Sequence, residues 1–471
     1  MTSKSLSAFI VSALVFLVVI PPSAHSDPVG ETYLAGTTWW DIQHNGTCGR
    51  QVQVLPDGSV PIVWMNGLNS GGSDRHIYYN LWQPGGGFSW LDGVQIDQSQ
   101  RSGYCEMDLD NNGRQYLAFH QQVTSTGETH SAVAVEDDFG MFIITEMVSP
   151  FGFTPQSIWP QLTVDNNGRI HLVTTEVSSS PGMPKLHYSR GIVDPGYYTV
   201  EFDVFYQTID SVMNVSSDIN SSPVSDRVAM GWLDYAATQP EFSQNDTDLI
   251  ICISEDGETW DFSDTINVTN WIPPDTTLLP DTTAANKDTL RCYTDMCLMF
   301  DHNDVLHVFF STRGYYPIQG ILTWGSGFIW HWDEINQVFS MVANGWFQNS
   351  YYDPGAWNIY AQRPSSAIDP ETGDLYCLYQ RYFDPIPDTG LPYPYLLADT
   401  TDFSAGGLPN GEVWITKSID GGLSWAEGIN ITDTNSPNAL AGDCLSEVSP
   451  SISEEIADGY CHLWFIRLMD S

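Results

Sequence analysis

The stretch "PQLTVDNNGRIHLVTTE", residues 160–176, decides the fold class. It consists of an apolar run, an Asp-x-x-Gly turn and a second apolar run. Short apolar runs bounded by turn residues are typical of β-strands, and two of them on either side of a tight turn predict a β-hairpin. No long segment of the chain has the apolar period of a helix. The sequence therefore predicts an all-β protein.

The same hairpin pattern recurs along the chain. Clear copies occupy residues 106–121, 294–311 and 364–382, and weaker copies occupy residues 50–65, 223–235 and 450–467. Further strand-like sequence follows each of the first six copies, which gives roughly four strands per unit, as in the radially repeated blades of a β-propeller. We therefore predict a single propeller domain over residues 27–471 with seven blades. The spacing leaves six or eight blades open.

The last unit is short, because only two strand-like runs precede residue 471. The segment "YLAGTTWWDIQHN", residues 33–45, is similar to the last strand of a unit such as "GFIWHWDEIN", residues 327–336. We expect this N-terminal segment to add an outer strand to the final blade and close the ring, which removes exposed sheet edges. A third strand for that blade is missing from the pattern. The blade is therefore incomplete or the chain is truncated.

The N-terminus has the features of an export signal. Lys4 precedes the apolar run of residues 8–20, and the small residues Ala24 and Ser26 follow at the spacing that a signal peptidase requires. The run is short for a membrane span. We predict a signal peptide over residues 1–26, no membrane span after its cleavage, and a secreted, periplasmic or cell-surface location. An uncleaved anchor is the alternative.

The charge and the cysteines restrict the partners and the chemistry. The chain has 58 acidic residues against 16 Lys and Arg, a net charge of −42, which disfavours nucleic acid and anionic membranes as partners. Eight cysteines in an exported chain permit disulfides. Cys48, Cys105, Cys292 and Cys444 precede or begin first strands, so Cys48–Cys105 or Cys48–Cys444 could join neighbouring blades. Free buried thiols are the alternative.

Two related stretches, "SEDGETW" (254–260) and "SIDGGLSW" (418–425), lie where the third strand of a unit turns into the fourth. They resemble the Asp-box of sialidase-type propellers. In that family the box lies on the outer rim, away from the catalytic centre, so the resemblance implies a structural role. An aspartate can accept backbone N–H bonds in the turn, glycine permits positive φ, and tryptophan can pack between sheets. The residues assigned this role are Ser254, Asp256, Gly257, Trp260, Ser418, Asp420, Gly422 and Trp425.

The sialidase resemblance also implies candidate ligand-binding and catalytic residues. Sialidases hold the sugar carboxylate with arginines and use an Asp acid/base with a Tyr–Glu nucleophile pair. Arg50 matches the first family arginine by position and Asp74 is the candidate catalytic Asp, but the expected Ile-Pro after the arginine is replaced and no Tyr–Glu pair stands out. Other arginines that precede first strands are Arg101, Arg291 and Arg363. Each arginine could instead pair with a neighbouring carboxylate.

No metal or cofactor is predicted. "DLDNNG", residues 108–113, matches the first half of a calcium loop, but Phe119 occupies the position of the bidentate glutamate, which favours a hairpin turn. His171, His307 and His462 recur at one register of the repeat, which favours core packing over metal ligation. A calcium ion is compatible with so acidic a chain, but the sequence gives it no position.

We therefore predict a monomeric, non-catalytic recognition protein that binds a glycan or a protein at the mouth of the propeller channel. The alternative is a sialidase-like exo-glycoside hydrolase that acts on terminal acidic sugars. Convergence of Arg50, Arg291 and Arg363 on one pocket beside an Asp would favour the hydrolase.

Overall fold

The computed structural model of the protein describes residues 29–123, 127–149, 154–177, 184–212, 215–235, 247–269, 289–316, 321–349, 352–387, 389–391 and 396–470. Within these ranges every regular element is a β-strand and no helix occurs. The predicted all-β class is confirmed. The predicted signal peptide, residues 1–26, lies outside the described residues. Nowhere in the described ranges is there a helix with the length and hydropathy to traverse a bilayer.

The strands of each sheet follow one another in chain order and pair antiparallel. The first sheet contains β1 (Val60–Gly67), β2 (Arg75–Gln83), β3 (Gly87–Phe88) and β4 (Val94–Gln95). The second contains β5 (Ser102–Leu109), β6 (Gln115–Gln122), β7 (Thr129–Glu136) and β8 (Phe142–Glu146). The third contains β9 (Ser157–Val164), β10 (Arg169–Glu176), β11 (Lys185–Val193) and β12 (Val200–Ser211).

The next sheet has eight strands and consists of two four-stranded halves, joined where Thr247 pairs with Cys292. One half contains β13 (Ser217–Ser221), β14 (Val228–Tyr235), β15 (Thr247–Ser254) and β16 (Ile266–Asn267). The other contains β17 (Thr289–Phe300), β18 (Leu306–Tyr316), β19 (Ile321–Asp333) and β20 (Ser340–Asn344). The following sheet contains β21 (Ala361–Ile368), β22 (Leu375–Arg381), β23 (Glu412–Ser418) and β24 (Ile429–Asn430). The final, two-stranded sheet contains β25 (Ser446–Ile452) and β26 (Leu463–Leu468).

The quoted stretch, residues 160–176, forms the β9–β10 hairpin, and its turn shows why the repeat folds this way. Asp165 accepts hydrogen bonds from the backbone N–H groups of Asn167 and Arg169, both at 2.9 Å. Gly168 has a φ of +74°, a conformation that glycine adopts without a steric cost. The turn at Asp110 uses the same bonds, with Gly113 at φ +80°. Local turn chemistry therefore fixes these hairpins.

Successive sheets pack face to face. We call the innermost strand of each unit its first strand, and these strands contact one another in chain order: β5 with β9, β9 with β13, β13 with β17, β17 with β21, and β21 with β25. In the first sheet residues 50–55 hold this position and β1 is the second strand. The carbonyl of Gln51 accepts the N–H of Val63 in β1 at 3.0 Å, and the carbonyl of Arg50 accepts the N–H of Met107 in β5 at 2.7 Å. A separate apolar cluster fills each gap between sheets, such as the one where Val63 meets Met107. Another cluster joins Trp464 of the last sheet to Ile62 of the first. The sheets thus succeed one another like the blades of a propeller, with their first strands around a channel.

The N-terminal segment differs from its prediction, because residues 33–45 form no strand of the last sheet. The segment lies against the first sheet, where side chains replace strand pairing. Gln43 donates to the carbonyl of Met65 and accepts from its N–H, both at 2.9 Å. Thr38 accepts from the N–H of Gly67 at 2.9 Å. Side-chain hydrogen bonds to the backbone compete with the backbone hydrogen bonds of a β-sheet, so the predicted outer strand is not formed.

The eight cysteines all lie in the described ranges, none of them forms a disulfide, and seven are buried. Neither Cys48–Cys105 nor Cys48–Cys444 is bonded, so the structure adopts the alternative that the sequence left open. Burial raises the pKa of Cys105 to about 12, which keeps that thiol protonated and unreactive at neutral pH.

Candidate functional site

The first strands of neighbouring sheets run in the same direction, since equivalent positions contact one another. Asp108 accepts the N–H of Val164 at 2.8 Å, and Asp218 accepts the N–H of Leu298 at 2.6 Å. The N-terminal ends of these strands therefore share one end of the channel, which we call the mouth. The hairpin turns lie at the opposite end.

Four residues at the mouth have a strained backbone. Tyr104, Trp159, Arg363 and Ser449 have φ values of +53°, +51°, +56° and +55°. Each lies in a first strand at a β-bulge, where the pairing register with the second strand shifts. Bulges change the direction of side chains and are common beside functional sites. A non-glycine residue held at positive φ costs about 1–3 kcal/mol of folding free energy. The same strain in four sheets marks the mouth as a candidate site.

The repeat pattern does not predict these bulges, although the sequence carries a signal for three of them. Pro160, Pro364 and Pro450 directly follow three of the strained residues. Within a sheet, proline is confined to edges, strand starts and bulges, because it cannot donate to the ladder. The structure places all three prolines inside bulged first strands.

A small cavity lies between two of the strained residues. The rings of Tyr104 and Trp159 are 6.2 Å apart at 75°. Together with Glu106, Gln161 and the mouth loop, which we define as residues 43–49, they line a volume of about 20 Å³. This is room for one water molecule or one hydroxyl group. The mouth loop is largely buried, which places it over the channel rather than in solvent.

Polar atoms around this cavity have no partner among the described residues. They are Glu106 Oε1, Gln161 Oε1, Trp159 Nε1 and Thr47 Oγ1. Buried polar groups are nearly always hydrogen-bonded, so a cluster of unpaired atoms indicates a place where water or a ligand completes the bonds. The cluster contains both donors and acceptors, which suits a hydroxyl group.

The channel below the mouth holds several carboxyl groups whose pKa values are raised. Burial raises the pKa of Asp108 and of Asp218 to about 7. Burial, together with the nearby charges of Asp218 and Asp108, raises the pKa of Glu106 well above its usual range. Burial therefore favours the protonated form of Glu106, and a protonated carboxyl can donate a hydrogen bond toward the mouth cavity.

Arg50 lies within this channel and faces the carboxyl groups. Its guanidinium contacts Glu454 Oε1 at 3.0 Å and the carbonyl of Ser366 at 3.4 Å. The positive charge of Arg50 partly offsets the rise that burial causes in the pKa values of Asp108 and Asp218. Arg50 thus has carboxylate partners within the protein, which is the alternative that the sequence allowed for each arginine.

The other candidate arginines have separate surroundings. Arg363 donates to Ser449 Oγ at 2.6 Å and to Asn358 Oδ1 at 3.2 Å, at the mouth. Arg291 is buried and donates to the carbonyl of Leu290 at 2.9 Å. Arg101 is exposed and pairs by its backbone with Arg75. The cavity between Tyr104 and Trp159 is not lined by any of the four candidate arginines.

Asp74 begins a short chain of hydrogen-bonded side chains outside the channel. Its Oδ1 lies 3.0 Å from His76 Nε2, and Nδ1 of that histidine lies 2.9 Å from Asp97 Oδ2. The side chain of Asp74 is half exposed and that of Asp97 is buried. The described contacts of Asp74 include neither a nucleophile nor a Tyr–Glu pair.

The three repeated histidines are buried within their own hairpins. His171 bridges Tyr188 at 2.8 Å and Asp165 at 3.1 Å, and His307 contacts His331 at 2.8 Å. His462 is also buried. Over the described ranges, no group of three or more His, Cys, Asp or Glu side chains is arranged to hold a metal ion.

The first Asp-box stretch, residues 254–260, lies at the end of the channel opposite the mouth. Asp256 accepts the N–H groups of Glu258 and Thr259 at 2.9 and 2.6 Å, and Ser254 donates to Asp256 at 3.1 Å. Gly257 has a φ of +63°. Two contacts reach the preceding sheet. Trp260 packs on Tyr188 at 5.2 Å, and Arg169 donates to the carbonyl of Asp256 at 2.8 Å.

The second stretch, residues 418–425, makes equivalent contacts. Ser418 and the N–H of Ser424 both bond to Asp420, at 2.7 and 2.9 Å. Trp425 donates to Ser340 Oγ of the preceding sheet at 3.1 Å. Gly422 lies directly against His331 of that sheet. Both stretches therefore join one sheet to the sheet before it, on the side of the molecule away from the mouth.

Comparison with known proteins gives distant matches only. No protein-family model and no curated protein matches the chain. A protein of unknown function from Dyadobacter fermentans is 10% identical over 76% of this chain and 94% of its own, with a TM-score of 0.41. An α-L-arabinanase from Penicillium chrysogenum is 13% identical over 64% and 72%, with a TM-score of 0.35. An endo-arabinase from Bacteroides thetaiotaomicron is 11% identical over 76% and 97%, with a TM-score of 0.31. The function of this chain therefore has to follow from its own residues.

Proposed function

We propose that this protein is an exported carbohydrate-recognition propeller that binds a sugar at the channel mouth. The observation that carries the proposal is the cluster of buried, unpartnered polar atoms around the mouth cavity, beside two aromatic rings. A sugar offers hydroxyl groups that both donate and accept, and an apolar ring face that stacks on aromatic side chains. An apolar ligand would leave the polar atoms unpaired, at about 1–3 kcal/mol each.

The proposed ring has seven blades. Seven apolar clusters support this count. Six lie between successive sheets, one of them joining the last sheet to the first, and the seventh lies between the two halves of the eight-stranded sheet. Polar contacts support closure at the same place. The N–H of Gln51 donates to Ser451 Oγ at 3.0 Å, and the N–H of Glu454 donates to Gln53 Oε1 at 3.2 Å. The mouth is then the concave end of this ring.

The geometry also suggests how a sugar binds. The mouth cavity holds about 20 Å³, which admits one hydroxyl and not a sugar ring. We propose that the ring stacks on Tyr104 and Trp159 at the mouth and that one hydroxyl enters the cavity toward Glu106. The protonated carboxyl of Glu106 then donates to that hydroxyl. Arg75 lies 5.3 Å from the ring of Tyr104 and supports it from behind.

Two alanine substitutions test the stacking. Tyr104→Ala and Trp159→Ala are each expected to weaken glycan binding by about 10- to 100-fold, since a covered aromatic ring contributes about 1.5–3 kcal/mol. The matched control is Tyr197→Ala, because Tyr197 is an exposed aromatic residue in the β11–β12 turn. Binding is measured on a panel of neutral and acidic glycans, with a melting curve for each variant. Equal affinities of the three variants would contradict the proposal.

The same incubation decides between binding and hydrolysis. Intact glycans are expected to be retained, and mass spectrometry of the supernatant detects any released monosaccharide. Release of a terminal acidic sugar, abolished in Glu106→Gln at an unchanged melting temperature, would overturn the non-catalytic proposal in favour of the sialidase-like alternative. Glu106→Gln preserves the side-chain shape but removes a proton that the carboxyl could transfer.

A further inference from the structure

Two arginines lie opposite each other on neighbouring strands at the mouth. The backbone of Arg75, the first residue of β2, pairs with that of Arg101, which directly precedes β5. Residues paired in this way project from the same face, and like charges placed opposite each other are destabilising. An arginine stays charged at neutral pH. The pair therefore places two positive charges side by side at one point of the mouth.

No carboxylate balances this pair within the described residues. Neither Arg75 nor Arg101 forms an ion pair there. The nearest acidic residues along the chain, Asp74 and Asp97, both bond to the ring of His76, at 3.0 and 2.9 Å. The cost of placing two like charges together is therefore not repaid by a described side chain of opposite charge.

The groups beside the pair are neutral at pH 7. Burial, with a smaller contribution from Asp41, raises the pKa of Tyr104, so its phenol keeps its proton. Burial and the charges of Arg75 and Arg101 lower the pKa of His120 to about 3, so its ring is uncharged. The ring of Tyr104 lies 5.3 Å from the guanidinium of Arg75 and 5.3 Å from the ring of His120. Neither ring supplies the missing negative charge.

Arginines at the opposite end of the channel are paired. Four of them form ion pairs: Arg114 with Asp138, Arg169 with Asp165 and Glu258, Arg190 with Asp203, and Arg227 with Glu255 and Glu334. With 58 acidic residues against 16 Lys and Arg, the chain has carboxylates to spare for every cation. An unbalanced pair beside the proposed sugar site therefore indicates that the ligand brings the negative charge.

We propose that the ligand at the mouth is a phosphorylated sugar, whose phosphate monoester binds Arg101 while Arg75 adds its charge from behind the ring of Tyr104. Arg101 is exposed and within reach of a ligand, whereas Arg75 is buried. A phosphate monoester carries about −1.5 to −2 charges at pH 7 and balances both arginines, whereas a carboxylate or a sulfate ester balances only one. This inference rests on the proposed binding of a sugar at the mouth.

The test compares sugars that differ only at C6. Glucose, mannose and galactose are titrated by NMR against the full chain as the parent hexose, the uronate, the 6-sulfate and the 6-phosphate. At pH 7.5 the 6-phosphate of one hexose is expected to bind about 10-fold or more tighter than its parent, and tighter than the sulfate. Phosphate loses its second charge below about pH 6, so its advantage over sulfate is expected to disappear at pH 5.

The outcomes separate this inference from the proposed function. A 6-phosphate that binds no tighter than its parent hexose would overturn the inference and leave sugar binding in place. A sulfate or uronate that matches the phosphate at pH 7.5 would overturn the charge match. Failure of every form of the three hexoses to bind would count against the sugar site itself and would overturn both.

A charge-removing variant locates the phosphate. Arg101→Gln is expected to lower the ratio of affinities for the 6-phosphate and the parent hexose about 10-fold, at an unchanged melting temperature. The matched control, Arg114→Gln, removes the same charge at the opposite end of the channel, where the side chain is 30% exposed, and is expected to keep the ratio. Equal ratios in both variants would overturn the location. Inorganic phosphate that binds as tightly as the 6-phosphate would assign the arginines to free phosphate and overturn the sugar as its carrier.

Discussion

Replacing Arg50 by glutamine is expected to lower the free energy of unfolding by about 2–3 kcal/mol at pH 8, somewhat less than the cost of removing one partner of a fully buried ion pair, because its partner Glu454 is partly exposed. The guanidinium faces Glu454 at 3.0 Å and lowers the pKa values of the carboxyl groups around it. Glutamine has no charge, so those groups would ionise without a cation beside them. Urea unfolding at fixed pH measures the change.

The loss in Arg50→Gln is expected to depend on pH, and its sign follows from the raised pKa values. Asp108 and Asp218 have a pKa of about 7 when folded, against about 4 in an unfolded chain. Between about pH 4 and pH 7 the folded protein therefore binds more protons than the unfolded chain. The contribution of these two carboxyl groups to the free energy of unfolding is fully present below about pH 4 and is lost as the pH rises through 7. The cost of Arg50→Gln should therefore be much smaller at pH 5 than at pH 8.

Lys417→Gln is the matched control for the loss of a cation. Lys417 pairs with Asp374 at 2.8 Å on the surface, and its side chain is 44% exposed. An exposed pair is worth about 0–1 kcal/mol, so this variant should change little between pH 5 and pH 8. If Arg50→Gln costs less than 1 kcal/mol, or the same at both pH values, the channel charges are not coupled as described.

Gly422→Ala is expected to destabilise the protein by about 3 kcal/mol or more, because two costs combine. The residue has a φ of +88°, and a Cβ atom there would lie 2.1 Å from Cε1 of His331. That ring cannot move aside, since it is buried and contacts His307 at 2.8 Å. Thermal unfolding followed by circular dichroism measures the change, with the two sheets joined at this point expected to separate first.

The neighbouring glycine provides the control. Gly421 has a φ of +71°, but a Cβ atom there would have no neighbour within 4 Å. Gly421→Ala carries the backbone strain without the clash, so it should cost about 1 kcal/mol. A similar loss in both variants would show that backbone strain alone accounts for the effect, and that the contact of residues 418–425 with the preceding sheet contributes little.

Parts of the site could be predicted from the sequence and others could not. The position of Arg50 in the sequence makes it a candidate, and the structure does place it in the channel. The sequence could not show that its guanidinium pairs with Glu454 and bonds to the carbonyl of Ser366. The strained residues Tyr104 and Trp159 were not identified at all. A bulge depends on how a first strand pairs with the second strand and with neighbouring sheets, and apolar alternation does not encode that shift.

The N-terminal segment shows the same limit. The apolar pattern of residues 33–45 is compatible with a strand, and a strand there would close the ring. In the structure the side chains of Thr38 and Gln43 bond to the backbone of β1 instead. Whether a segment forms backbone ladder bonds or side-chain bonds depends on the residues that surround it in the folded protein. The two-stranded last sheet, by contrast, agrees with the sequence pattern, which has no third strand for that blade.

The sequence by itself determined the all-β class and the hairpins, because their signals are local: Asp165, Gly168 and the apolar runs beside them act within a few residues. Only the tertiary structure decided the mouth. The mouth brings together residues from separate sheets, and the closing bond from Gln51 to Ser451 spans 400 positions of the chain. Contacts over such distances follow from the packing of whole sheets, which depends on the summed shapes of their buried side chains rather than on any short motif.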